Sequence, residues 1–77
     1  MIIYKRINIG YQIIDSIHIG KTEFVIGYNH KKDSPYAIWE TLNGIDFHLG
    51  QYAKNRLQAE HIFLKRVNEA YERQNNC

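Results

Sequence analysis

The chain has little of what stabilises a small protein from outside its core. Its only cysteine, Cys77, is the last residue, so no disulfide closes within the chain. A lone thiol of that kind suits a reducing compartment, and a cytoplasmic protein is expected. One proline and five glycines are too few for a Pro-rich or Gly-rich linker, and no repeat or low-complexity tract is present. Long apolar runs are also missing. The opening MIIYKRINIG meets a charge after four residues, so neither a signal peptide nor a membrane span is expected. Charge of one sign is scarce, since ten Lys and Arg against eight Asp and Glu leave a net charge of only +2. That balance lacks the clearly basic footprint of a nucleic-acid-binding domain. His18, His30, His48 and His61 have no short paired spacing, so no metal and no other cofactor is expected.

What the chain does have is a core's worth of large side chains. In 77 residues, 44% are hydrophobic and 13% aromatic, enough for one core, and a single domain over residues 1–77 is expected. From Tyr11 to Ile19, Tyr11, Ile13, Ile17 and Ile19 fall on one side of a period-2 pattern, which predicts a strand over 11–19. Gly20-Lys21 supplies a two-residue turn into a second strand over 22–28, with Phe24, Ile26 and Tyr28 inward. The polar loop NHKKDSP ends at Pro35, and a third strand follows over 36–41. Asn43-Gly44 reads as a tight hairpin into a fourth strand over 45–52.

A helix follows over 56–73. Asn55 is placed to cap it, and Gln58 to reach back to the Asn55 amide. At about 100° per residue, Leu57, Ala59, Phe63, Leu64, Val67, Ala70 and Tyr71 fall within an arc of about 160°. The expected fold class is therefore α+β: an antiparallel β-meander of four strands, five if the apolar segment 1–9 pairs at the edge, packed on one C-terminal helix.

Several side chains stand out against that frame. Glu60 falls inside the apolar arc and reads as an unusual buried acid, although a glutamate there more often satisfies helix amides or a nearby cation. Ile62 falls on the polar side, where single apolar residues are common. One helix covers one sheet face, so if Ile13, Phe24 and Phe47 point inward, Ile14 and Val25 point outward. Strand 36–41 adds either Ala37 with Trp39 or Tyr36 with Ile38 to that outer face. An exposed apolar strip there would be an interface. The partner-binding residues expected are Trp39, Tyr36, Tyr28 and His48, with Lys31 and Lys32 at the rim, although a tryptophan is more often core than contact residue. Asp46 and His48 share a strand face but have no nucleophile beside them, so no catalytic residue is expected and the chain is not read as an enzyme.

With FVIG at Phe24 to Gly27, PYAIWE at Pro35 to Glu40, LGQY at Leu49 to Tyr52, and Ala59, Phe63 and Arg66 on the helix, the chain resembles small uncharacterised accessory domains of Gram-positive phages and mobile elements. Some of these are similar to domains attached to large polyvalent proteins. The resemblance covers residues 11–67. It implies a protein carried by an invading element, working in the cytoplasm of a bacterial host, and it brings no catalytic residue. Together with the residue pattern it leads to a noncatalytic protein-binding module, in its most concrete version an inhibitor of a host defence protein that blocks a surface. Its partner would be another protein or a second copy of the chain. The alternatives are a small nucleic-acid-binding regulator, using the lysines with tyrosine stacking, and a structural homodimer.

Overall fold

The computed structural model describes residues 6–75. Five strands, β1 (Ile7–Asn8), β2 (Tyr11–Ile19), β3 (Thr22–Tyr28), β4 (Tyr36–Thr41) and β5 (His48–Ala53), precede one helix, α1 (Arg56–Asn75). The strands lie in the order β1-β2-β3-β4-β5, every neighbouring pair antiparallel. This is the expected α+β meander on one C-terminal helix, with the sheet curled into a half-barrel. Of the N-terminal strand expected over 1–9, Ile7–Asn8 pairs with Tyr11–Gln12, and residues 1–5 lie outside the described residues. Gly20, at φ 60°, makes the turn between β2 and β3 as its lack of a Cβ allows.

The fourth strand starts later than the Asn43-Gly44 signal implied. Instead of closing a two-residue hairpin, Asn43 accepts bonds through Oδ1 from the amides of Ile45 and Asp46, at 2.9 and 2.8 Å. The Thr41 hydroxyl accepts from the Gly44 amide at 3.0 Å. These local side-chain bonds replace the ladder, so residues 42–47 form a loop and pairing begins at His48.

Two bulges decide which side chains share a face. Ile14 is an extra residue between Ile13, opposite Gly27, and Asp15, opposite Ile26. It shifts the alternation of β2, so Tyr11 and Ile13 face away from the helix whereas Ile17 and Ile19 face it. The second bulge sets Leu49 and Gly50 of β5 against Trp39 of β4. On the helix side, Phe24, Ile26, Ile38 and Ala53 pack with Ala59, Phe63, Val67 and Ala70. Ile14 joins this core, not the outer face expected for it.

The other sheet face is closed as well, which overturns the exposed apolar strip. The curl brings Tyr11, Val25, Ala37 and Trp39 into a second core, joined by Ile13 and by Phe47 from the 42–47 loop. Ile13 and Phe47 thus belong to the face opposite the one expected. The Trp39 indole fits because its neighbours are small: a Cβ on Gly27 would stand 2.8 Å from the ring, and one on Gly50 2.8 Å from Nε1. Tyr11 meets the indole edge-on at 5.5 Å and Tyr52 at 6.3 Å, the edge-to-face geometry that ring quadrupoles favour.

The helix is capped much as its sequence predicts. Asn55 Oδ1 accepts from the Gln58 amide at 2.8 Å, while Gln58 Oε1 reaches back to the Lys54 amide, not the Asn55 amide, at 3.1 Å. Its rotation differs from the apolar arc. Ala59, Phe63, Val67 and Ala70 are buried, Ile62 packs against the core, and Leu57, Leu64 and Tyr71 are exposed. Arg66 holds this rotation, donating to Gln51 at 2.8 Å and lying 3.5 Å from Glu40 on the sheet. Glu60 is accordingly not buried: its side chain is half-exposed and pairs with Arg56 at 3.3 Å.

Candidate functional site

The meander gathers its connections at two ends. At one end lie the turn joining β1 to β2, the 29–35 loop joining β3 to β4, and the segment leading from β5 into α1. The 29–35 loop is held rigid mainly by Asn29. Its amide donates to the Pro35 carbonyl at 2.8 Å, and its carbonyl accepts from the Lys32 amide at 3.2 Å. The Asn29 side chain donates to the Gly10 carbonyl and accepts from the Lys31 amide, both at 3.0 Å. The Tyr11 hydroxyl adds a bond to the Ser34 carbonyl at 2.8 Å, and burial pushes the Tyr11 phenol pKa up, with Tyr52 adding to the effect. So constrained, the loop holds His30, Lys31, Lys32 and Asp33 out into solvent. At its base the Tyr28 and Tyr36 rings stack at 5.0 Å with a tilt of 46°.

The neighbouring turn carries a feature that no strand pattern announces. Ile9 has φ 50° and Gly10 φ 83°, the pair of positive angles a two-residue hairpin of this twist requires. Glycine and asparagine accept that conformation readily, whereas a β-branched residue in it is an outlier. Ile9 is nevertheless 71% exposed, so no packing within the described residues compensates the strain. Reading residues 1–9 as one edge strand concealed this turn. The signal available was Ile-Gly directly before the pattern that starts at Tyr11.

The structure thus brings Tyr28, Tyr36, Lys31 and Lys32 together and separates the other two expected contact residues from them. Trp39 is 3% exposed, which removes it as an anchor for a partner. His48 opens β5 at the opposite end, across from Glu40. Asp46 is held by Asn43, whose side-chain amide donates to it at 2.8 Å. Among the described residues no group of three or more His, Cys, Asp or Glu stands together as a metal site. Nor is any helix there long and apolar enough to cross a membrane.

The strongest electrostatic feature lies at the margin of the second core. Glu23 is buried on β3, and Arg6 grips both its oxygens, at 2.8 and 2.5 Å, while the Ser16 hydroxyl also donates to it. Arg6 further lies 6.0 Å over the Phe47 ring and 3.4 Å from the Gly44 carbonyl. The Arg6 hydrogen bonds lower the Glu23 pKa to about 2, against the opposing effect of burial, with Ser16 and the Arg6 and His18 charges helping. A carboxylate so completely satisfied ties β1, β2, β3 and the 42–47 loop together and is too acidic to act as a base near neutral pH.

A groove between β5 and α1 is lined by Leu49, Gln51, Ile62 and Arg66. Arg66 is already committed there to Gln51 and Glu40, so this groove reads as the helix–sheet seam. No known protein family, no curated protein and no solved structure matches the chain.

Proposed function

We propose that this chain is a noncatalytic protein-binding module whose contact surface is the end of the sheet bearing Ile9, Tyr28, Tyr36, Lys31 and Lys32. The observation that carries the reading is Ile9. A β-branched residue in the left-handed region costs roughly 1–2 kcal/mol, and strain of this kind concentrates at functional sites. Here it holds a large apolar side chain at the tip of a turn, beside an aromatic pair and a loop fixed by Asn29. Apolar and aromatic anchors within a charged rim are what a protein interface needs, and presentation by a rigid loop lowers the entropy lost on binding.

In its most concrete form the module is carried by a phage or mobile element, works in the cytoplasm of a bacterial host, and inhibits a host defence protein by covering a surface. The same end also offers Lys31, Lys32 and Lys54 beside two tyrosines, a composition that serves single-stranded nucleic acid too. Affinity capture from host lysate distinguishes the two. Wild type is compared with Ile9→Asn and with Lys31→Glu/Lys32→Glu, each confirmed folded by circular dichroism. A protein partner retained by wild type through nuclease treatment and lost by both variants is the expected result. Capture unchanged in both variants contradicts the proposed surface, and retention of nucleic acid that falls steeply with salt favours the second reading.

A further inference from the structure

The exposed back of the helix carries a pattern that neither the fold nor the proposed binding end uses. Leu57, Leu64 and Tyr71 follow one another at intervals of seven and are 78%, 51% and 56% exposed. Between them, His61 and Asn68 complete alternating steps of four and three along the same line, also exposed. The line lies roughly 150° around the helix from the residues packed on the sheet. A surface helix ordinarily presents polar residues there, whereas a four-three alternation has the spacing of a coiled-coil seam, here with large apolar residues at every second step. Leu57, Glu60, His61 and Leu64 line a surface depression, and their spacing is that of the four-residue hole which receives one side chain from a facing helix.

We infer that this face pairs with the same face of a second copy, the two helices running parallel about a two-fold axis. The charges beside the seam select both the occupant and the direction. In a parallel pair, a residue flanking one side of the seam meets the residue five positions later on the other helix. Glu60, which pairs with Arg56 of its own helix at 3.3 Å, then meets Lys65 of the second copy with its other oxygen, and the symmetry makes the contact twice. An antiparallel pair centred on Leu64 sets Lys65 against Lys65. In the parallel arrangement Asn68 also meets its own counterpart within the seam, where a polar residue specifies register at a cost in stability. A 20-residue helix holds only three repeats of the pattern, and His61 and Asn68 weaken it further, so the dimer is a weak one. The pairing leaves the 29–35 loop free and does not depend on the function proposed for it.

Sedimentation equilibrium of the full chain, from micromolar to near-millimolar concentration, tests the inference. Wild type is expected to shift from monomer to dimer across that range. Leu64→Glu should remain a monomer throughout, while Ile45→Glu, at a still more exposed site on the 42–47 loop, should dimerise as wild type does. Glu60→Lys and Lys65→Glu should each weaken the dimer and their combination restore it, because the swapped charges still pair between parallel helices. A wild-type monomer at the highest concentration overturns the inference, as does a dimer that survives Leu64→Glu with the protein folded. Failure of the combined charge reversal to restore the dimer overturns the parallel arrangement.

Discussion

Replacing Arg6 with methionine should blunt the response of the fold to acid. In the wild type the Glu23 pKa is about 2, against an ordinary 4.5. Its ionised, paired form therefore contributes stability that is fully present above pH 4.5 and is lost as pH falls through about 2. At about 1.4 kcal/mol per tenfold change in proton affinity, that contribution has a ceiling of roughly 3 kcal/mol. Arg6→Met leaves Glu23 buried with only the Ser16 hydroxyl and the neighbouring His18 to satisfy it. Breaking a fully buried pair costs about 3–5 kcal/mol, and because the Arg6 side chain is about a third exposed, roughly 2–3 kcal/mol is the expected loss at pH 7. Without the guanidinium, burial is opposed only by the Ser16 bond and the His18 charge and moves the Glu23 pKa up from about 2, so the folded variant binds a proton more readily than the folded wild type. Its stability relative to wild type should then recover as pH falls from 7 toward 3. Urea melts of both proteins at intervals across that range measure the difference, in which the contributions of the other carboxylates cancel. Parallel pH profiles, or a loss below about 0.5 kcal/mol, within the range of an ordinary surface substitution, would refute the role assigned to the pair.

Three further substitutions probe the packing and the strained turn. Phe63→Ala empties the centre of the helix–sheet core and should cost about 3–5 kcal/mol in a denaturant melt. Gly27→Ala should lower the melting temperature and perturb Trp39 fluorescence, since the added methyl group stands 2.8 Å from the indole and 2.9 Å from the Tyr11 Cβ. Ile9→Asn moves in the other direction: relief of about 1 kcal/mol of backbone strain should raise the melting temperature by roughly 4–8 °C, while partner capture falls.

Strand positions, the meander and the C-terminal helix were legible because each rests on local chemistry: alternation in β2 and β3, Gly20 at a turn, Asn55 at a cap. Faces were not legible, because each depends on one residue out of step. Ile14 adds nothing unusual to the composition of β2, yet as a bulge it exchanges the faces of everything before it. The helix arc failed for a related reason. Leu57 and Leu64 are as apolar as Phe63, and the stripe that meets the sheet is marked instead by contacts with residues distant in sequence, Arg66 with Gln51 and Glu40 and Arg56 with Asp15. Of the candidate site, Lys31, Lys32, Tyr28 and Tyr36 were found because they flank one recognisable loop. Trp39 is no contact residue because the second face does not stay open: Gly27 and Gly50 let the sheet curl around the indole. Ile9 was missed because its distinction is a backbone angle, which composition does not reveal.

The proposed function sets a partner protein against the 29–35 end of the sheet. Site-specific photocrosslinking in bacterial cells addresses it directly, with the reactive group placed at Lys31 in one protein and at His48, on the opposite end, in another. A discrete adduct with a second protein is expected from position 31, abolished by Ile9→Asn, and none from position 48. An adduct from position 48 alone, or from neither position, would contradict it.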